Sequence, residues 1–593
     1  MNTNLEGTRK KTTLVQLIKN SIENKNFFLI GVLANCISTT FSVALTSHFS
    51  VLIDSFGSGG ASDGFKDSIV IVVALFVLQI IFGVVSVYGL NYVGLKVVTK
   101  IREQILHTVT FAPMSFFDKN SKGEISSRII NDSSILMNLI TTSLSESIGA
   151  LISITFALML LFRINIKLTL LLLGVFVIFI LFLLPLTQRL AKVSKSIQDN
   201  TASLSAYIVQ TIANIKLIKS TSQEEYAIDE GDSILNRIFS DSIDQVKFMA
   251  VLSPVVNVVL LGSVFLVIAI GGILVASNEI TVGGLSSFLM LVVLQIISPS
   301  LSLVSFLTSF QSTKGALERI IDLLELRVED VNSGELLLEQ TIDTIEFKKV
   351  VFQYASSPKE ILNGISFTAK KNDYIALIGP SGSGKSTLYS ILEKFYDIQS
   401  GEILINGNDI SKLSLRSLRR CIGYVTQDSF IVTGSVKDNL LYGVQNKNVS
   451  DEDLMAVCKM ADIDVFVNSL ENGLYTKLEE NGMNISGGQK QRISIARTLL
   501  AENSLILLDE ATSSLDSISE KKVQKTIESL SSNRIVFVIA HRLSTITNAS
   551  KIIFLDNGNI TGIGSHEELL KNHEKYNMFY KQQFQEGNSA YVD

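Results

Sequence analysis

Residues 379–387 read Gly379-Pro380-Ser381-Gly382-Ser383-Gly384-Lys385-Ser386-Thr387, a run whose residue types suit the holding of a polyphosphate. Its glycines let backbone N–H groups turn inward around a β-phosphate, and a helix starting at its end would aim a positive N-terminus at the same place. Lys385 is spaced to reach the β- and γ-phosphates, and the Ser386 hydroxyl to take a place on Mg²⁺. A second run, Leu505-Ile-Leu-Leu-Asp509-Glu510, supplies two carboxylates after four apolar residues. Asp509 suits the metal ion, and Glu510 stands where a water attacking the γ-phosphate could be polarised. The chemistry implied is binding and hydrolysis of a nucleoside triphosphate.

Such a loop works only if flanking elements hold it. Tyr374-Ile-Ala-Leu-Ile378 before it predicts a buried strand, and Leu388-Tyr-Ser-Ile-Leu392 after it a helix, which is the strand–loop–helix context a P-loop requires. Asp509 ends another apolar strand, and Arg534-Ile-Val-Phe-Val-Ile-Ala540 predicts a further one, followed by His541. Strands alternate with helices from about residue 344 onward, as in an α/β domain.

The rest of the chain has a different character. At 593 residues it exceeds one hydrophobic core. Mean hydropathy is +0.36, with charged residues at only 18%, and the apolar excess falls in the first half. A net charge of -5 gives no reason to expect nucleic acid as a partner. Cys36, Cys421 and Cys458 have no paired spacing, which excludes a disulfide framework or zinc site and predicts buried thiols.

Six apolar runs, near 27–53, 68–95, 136–162, 168–190, 248–276 and 282–310, are each long enough for the ~20 residues a membrane crossing takes. The first is too long for a signal-peptide core and lacks a small-residue cleavage site close behind it. Residues 1–26 are polar and basic, and Thr13-Leu-Val-Gln-Leu-Ile-Lys19 has the spacing of an interfacial helix. The long connections after runs two and four carry most of the loop lysines and arginines, so the N-terminus, these connections and the phosphate-binding half are expected on the cytoplasmic side. Both connections keep a helical period, predicting helices that continue beyond the bilayer. Phe111-Ala-Pro-Met-Ser-Phe-Phe117 breaks the first, and Asn214-Ile-Lys-Leu-Ile218 sits at the equivalent turn of the second. Pro185, Pro254 and Pro299 predict kinks. Among the rare polar residues inside the runs, Gln79, Asn257, Gln295 and Glu146, the carboxylate is a candidate for a substrate or proton role, or is simply hydrated near the end of its run. Expected boundaries are an N-terminal segment at 1–26, a helical membrane domain at 27–324, a charged linker at 325–343 and an ATPase domain at 344–593.

Gly379–Thr387, Gln427, Ile485-Ser486-Gly487-Gly488-Gln489, Leu505–Glu510, Ser513-Ser-Leu-Asp516 and His541, in that order, resemble the ATPase of the ABC transporter superfamily, and the helical half resembles the six-helix domain of its exporters. The resemblance covers essentially the whole chain and implies a membrane all-α six-helix domain with long cytoplasmic helical extensions, followed by an α/β P-loop ABC-type ATPase domain. It implies ATP and Mg²⁺ as cofactors, with Ser386, Gln427 and Asp509 toward the ion, Tyr354 stacking on adenine, and Glu510, His541 and Gln427 as the hydrolytic set. Ser486, Gly487, Gly488 and Gln489 match the signature loop, which acts on the ATP of the opposite subunit, and Asp516 matches a residue of the interface between subunits. Two departures stand out: Ile485 where the family has Leu, and Glu479 where a glycine is common.

The function implied is that of an ATP-driven half-transporter, pairing with a second half (a homodimer favoured, a heterodimer open). Its cargo is expected to be hydrophobic or amphipathic (a drug, lipid or peptide), taken from the cytoplasm or inner leaflet. With only 26 residues before its first helix, the sequence shows no leader-peptidase domain, so a peptide exporter would rely on separate processing. The membrane expected is a bacterial plasma membrane, with both termini cytoplasmic. An importer, which usually has separate membrane and ATPase chains, and a membrane-tethered ATPase without cargo are the competing classes.

Overall fold

A computed structural model describes the chain outside residues 1–24, 58–62, 332–333, 335, 339–340, 356, 446, 510–516, 541–542 and 583–593. The expected interfacial helix at Thr13–Lys19 lies outside the described residues. The chain forms two compact units: one runs up to His107 and resumes at Ile125–Glu325, and the other comprises Thr108–Glu124 and everything from Leu326 onward.

The first unit is helical. Its long elements are α1 (Lys25–Gly57) and α2 (Asp63–Thr110); after the short α3 (Met114–Lys119), which belongs to the second unit, come α4 (Lys122–Ile164) and α5 (Ile166–Ala213). Then follow α6 (Ile215–Thr221), α7 (Glu224–Ala276) and α8 (Val282–Leu324). Five of these helices are long and apolar enough to cross a membrane, and α5 is apolar over Ile166–Ile178. Each apolar run of the sequence falls inside its own helix. The helices overrun the apolar stretches: α2 has 48 residues and α7 has 53, or about 70–80 Å, against a hydrocarbon core of about 30 Å. α2 stops at Thr110, and Pro113, which lacks an N–H, is the N-cap of α3. Asn214 leaves helical geometry between α5 and α6. Pro254, by contrast, is carried inside α7 without ending it.

Side-chain distribution in this unit is inverted relative to a water-soluble bundle. Val70, Val84, Ile178 and Phe265 are exposed, while Ser147, Ser153, Thr169, Ser263 and Ser287 are buried. Lipid rewards outward apolar groups, whereas small hydroxylated residues let helix backbones approach closely. Asn165 caps α5 by accepting from the Leu168 N–H at 3.0 Å, and Thr281 caps α8 by accepting from Gly284 at 2.9 Å, so the two short connections supply the capping oxygens. Asp54, from α1, accepts from both Thr281 and the Gly283 N–H at 2.7 Å. α4 and α8 contain π-helical stretches at Arg128–Asp132, Leu139–Ser143 and Leu291–Ile297.

The second unit is α/β. Its strands are β1 (Thr344–Phe352), β2 (Leu362–Lys370), β3 (Tyr374–Ile378), β4 (Ser400–Ile405), β5 (Asn408–Asp409) and β6 (Ile422–Val425). Two-residue strands β7 (Gly434–Ser435) and β8 (Lys477–Leu478) follow, then β9 (Leu505–Asp509), β10 (Ile535–Ile539), β11 (Lys551–Asp556) and β12 (Asn559–Gly564). One sheet has the order β2-β1-β4-β5 and is antiparallel; a second has the order β12-β11-β3-β10-β9-β6 and is parallel except at β12; β7 and β8 pair with each other. β3 and β10 are buried at every residue, reading as continuous apolar runs because both faces are covered. Two apolar cores result, around Phe347, Phe352, Tyr389 and Phe537, and around Leu454, Ile493, Val536 and Phe554. Residues after Leu326 lie against this unit: Glu329 pairs with Arg419 at 2.8 Å, and Leu336 bridges Leu413. Cys421 and Cys458 are buried free thiols, and Cys36 is half-buried.

Candidate active site

Three parallel ladders align the chemistry. Tyr374–Leu377 of β3 pair with Val536–Ile539 of β10, and Ile535–Ile539 pair with Leu505–Asp509 of β9. β9 in turn pairs with β6, Val425 lying opposite Leu508. The loop at Gly379, the Ala540 that precedes His541, Asp509, and Gln427 just beyond β6 therefore leave the sheet at the carboxyl ends of four adjacent strands. Open α/β sheets bind ligands at this edge. At about 4.8 Å per strand, Asp509 stands two strands, or about 10 Å, from Leu377, across β10. Glu510, Asp516 and His541 lie outside the described residues.

The loop is built to approach a ligand closely. Gly379 has φ +152° and a Cβ there would stand 2.0 Å from the Leu555 carbonyl oxygen. Gly384 has φ +103°, and its Cβ would meet Leu362 Cδ2 at 2.6 Å. Both positions require glycine. Pro380, Ser381 and Gly382 complete the turn, and Gly384 is the N-cap of helix α9 (Lys385–Leu392). Lys385 Nζ is buried and donates to the carbonyls of Gly379 at 2.8 Å and Pro380 at 2.9 Å, which holds the ammonium inside the loop. Ser386 follows it in the first turn. The Ser383 hydroxyl oxygen is buried with no partner among the described residues. An orphaned hydroxyl in a glycine cradle at a helix N-terminus fits a phosphate oxygen.

Tyr354 comes just after β1. Its hydroxyl is 3.2 Å from Thr387 Oγ1, and its ring meets Phe352 and Tyr396 edge-on at centroid distances of 4.8 and 5.1 Å. Two edge contacts fix the ring plane while the residue stays only half-buried, leaving a face for a flat partner. Asp509, half-buried, adds to burial in holding the phenols of Tyr389 and Tyr424 in their neutral form, and Tyr389 donates to the Leu508 carbonyl at 3.2 Å. Gln427 is exposed in the turn that closes at Ser429.

Ser486 is the N-cap of helix α10 (Gly487–Leu500), with a capping box: its hydroxyl accepts from the Gln489 N–H at 3.3 Å, and its own N–H donates to Gln489 Oε1 at 2.8 Å. Gly487 and Gly488 form the first turn, leaving their N–H groups without intrahelical partners. α10 packs on β6, which lies three strand spacings, or about 14 Å, from β3. The two phosphate-type sites of the domain thus stand at different places on its sheet.

Sequence reasoning does not find two groups here. Glu393 caps the C-terminus of α9 and is only 7% exposed; burial pushes its carboxyl up to about 7, with Arg419 opposing. Tyr396 donates to Asp118 Oδ2 at 2.7 Å, and the Phe111 carbonyl accepts from the Glu329 N–H at 2.6 Å. The broken segment around α3 is therefore seated on the α/β unit, beside the ring that supports Tyr354. Neither group belongs to a motif, and the only signal is an aromatic cluster at the exit of α9.

Comparison with known proteins gives two matching family models: the ABC transporter transmembrane region over residues 28–300 and the ABC transporter model over 362–513. A multidrug resistance ABC transporter ATP-binding and permease protein of Lactococcus lactis subsp. lactis is 33% identical over 573 residues, 97% of this chain and 96% of that one. An ATP-dependent lipid A-core flippase of Haemophilus influenzae is 32% identical over 564 residues, covering 94% and 95% of the two chains. Among solved structures, a bacterial Atm1-family ABC exporter with ATP bound has the same fold, with a TM-score of 0.79 at 23% identity over 95% of this chain and 99% of that one.

Proposed function

Because this chain belongs to the ABC transporter family, fusing the transporter's transmembrane region to its ATPase, we propose that two such chains pair as half-transporters and export hydrophobic or amphipathic cargo. Its reaction is ATP hydrolysis coupled to transport, and it is an integral membrane protein. The observation that carries the proposal is the convergence of the Gly379 loop, Asp509 and Gln427 at one carboxyl edge of a parallel sheet, with the Ser486 helix start displaced along that sheet.

Backbone N–H groups of 379–387 and Lys385 hold the ATP phosphates, and Tyr354 stacks on the base. Ser386, Gln427 and Asp509 would hold Mg²⁺, which when bound would supply charge neutralisation at the phosphates. Glu510 orients and polarises the attacking water, and His541 holds that geometry. The Ser486–Gln489 helix start completes the site of the opposite subunit, with Asp516 at the interface; its separation from the Gly379 loop leaves it free for a second ATP. Two ATP molecules closed between subunits supply the ~5.5 kcal/mol of differential binding that a full switch between two transporter states needs. The lysine- and arginine-rich connections support cytoplasmic termini, and the compact half-transporter layout suits a bacterial plasma membrane. Relatives named as a multidrug transporter and as lipid A-core flippases support an amphipathic cargo.

ATP turnover by the reconstituted chain, beside Glu510→Gln and with particle mass on the same sample, tests this. Turnover at the mass of two chains, lost in Glu510→Gln while ATP binding remains, is the expected result. A monomer without turnover overturns the self-sufficient pair.

A further inference from the structure

The helix that follows the glycine loop is held at its far end as well as at its start. α9 spans eight residues, Lys385–Leu392, or about 12 Å, so its two ends move as one body. Its far end closes on itself: the Lys394 N–H donates to the Ile391 carbonyl and the Phe395 N–H to the Ser390 carbonyl, both at 2.9 Å. Lys394 adopts the left-handed region at φ +53°, where glycine is usual and a lysine is strained. The Glu393 and Lys394 carbonyls stand just beyond this closure, at the negative end of the helix, where a cation is favoured.

Arg419 takes both carbonyls. Its Nε donates to Glu393 O at 3.1 Å and its Nη2 to Lys394 O at 3.3 Å, while the guanidinium lies over the Phe395 ring, 5.1 Å from the centroid. The same guanidinium grips Glu329, Nη1 to Oε2 at 2.8 Å and Nη2 to Oε1 at 3.2 Å. The two side chains are only 26% and 19% exposed, which with two-point geometry sets this pair apart from an ordinary surface bridge. Glu329 belongs to the linker that begins where α8 ends at Leu324, and its own N–H donates to the Phe111 carbonyl at 2.6 Å. Close by, the Val331 carbonyl accepts from the Arg416 N–H at 3.0 Å, so the linker backbone is seated beside Arg419. One guanidinium therefore joins the linker to the helix whose other end carries Lys385 and Ser386. A planar fork of donors can serve a carboxylate and two carbonyls together, whereas a lysine acts as a single point charge.

We propose that Arg419 is a positioning residue for ATP binding: it fixes the far end of α9 to the linker through Glu329 and so sets the attitude of the phosphate-holding end. The proposal rests on the reading of residues 379–387 as the phosphate loop. It gives the linker a part in ATP affinity, separate from the contact between Asp118 and Tyr396.

The test measures ATP turnover, and displacement of a fluorescent ATP analogue by ATP, on the full-length protein in phosphatidylcholine nanodiscs. Arg419→Gln should weaken ATP binding and raise KM about tenfold while kcat stays within about twofold. That split separates positioning from folding, because a smaller folded fraction lowers kcat and leaves KM in place. Arg419→Lys keeps the charge and a donor for the helix end, and should recover most of the affinity. Glu329→Gln should raise KM about threefold, and combining it with Arg419→Gln should add little, since both act through one joint. An unchanged KM in Arg419→Gln, or full multiplication of the two single effects, overturns the proposal. If Arg419→Gln does not yield a monodisperse particle, Glu329→Gln decides alone, and an unchanged KM there overturns the assignment. Lys385→Ala on the same samples separates the two readings. ATP binding retained in Lys385→Ala sinks the phosphate loop, whereas binding lost there and intact in Arg419→Gln sinks only the role of Arg419.

Discussion

Glu393 offers a prediction whose sign and size both come from its surroundings. The carboxyl sits at the C-terminus of α9, 7% exposed, where the helix end also disfavours negative charge. Arg419, the cation that opposes this, is engaged elsewhere: it pairs with Glu329 at 2.8 and 3.2 Å and donates to the Glu393 and Lys394 carbonyls. Burial thus prevails, and the carboxyl rises from 4.5 to about 7. The folded state then holds this proton more tightly than the unfolded state does. Stability is greatest below the unfolded value of 4.5, falls as pH rises from there to about 7, and is flat above. At 1.36 kcal/mol per tenfold change, ionised Glu393 costs the fold about 3 kcal/mol at pH 8 and under about 1 kcal/mol at pH 5. Glu393→Gln cannot ionise. The variant should therefore gain about 2–3 kcal/mol relative to wild type between pH 5 and pH 8, whatever constant offset the amide introduces. Calorimetry of the ATPase-domain transition in the full-length protein, run at several pH values, reads this as a melting difference that widens by several degrees on going from pH 5 to pH 8. Parallel melting curves for the two proteins across that range would refute the reasoning.

Two further perturbations follow from named contacts. Gly379→Ala places a methyl 2.0 Å from the Leu555 carbonyl oxygen at a φ of +152°, so nucleotide binding measured with a fluorescent ATP analogue should disappear while the membrane helices stay folded; retained affinity would mean the loop can shift. Tyr396→Phe removes the hydrogen bond to Asp118, worth about 1 kcal/mol at an exposed carboxylate, and should cut cargo-stimulated ATP turnover about fivefold while basal turnover stays within about twofold. Asp118→Asn combined with it should add little further loss; full additivity of the two would show that the contact does not carry the effect.

Legibility in the sequence follows how local each feature is. Strand β3, the glycine loop and α9 occupy one continuous stretch, so turn chemistry and apolar runs reveal them together. The membrane helices are legible because a bilayer imposes a minimum run of apolar residues, and their charged continuations because the helical period persists. Pro113 and Asn214 mark their breaks in plain view. By contrast, the Asp118–Tyr396 contact joins residues 278 positions apart, and no residue in either stretch advertises the other. The seating of Thr108–Glu124 on the α/β unit depends on that contact and on the bond from the Glu329 N–H to the Phe111 carbonyl. Glu393 reads as an ordinary charged residue at a helix end; only packing removes its water.

The two kinds of site differ in the same way. Phosphate chemistry fixes which groups are needed and how close the backbone must come, so the ATP site leaves a contiguous signature. A cargo cavity between membrane helices is defined by which faces meet. Ser42 and Gln295 are separated by 253 positions and Asn35 and Ser145 by 110, yet hydrogen bonds join each pair.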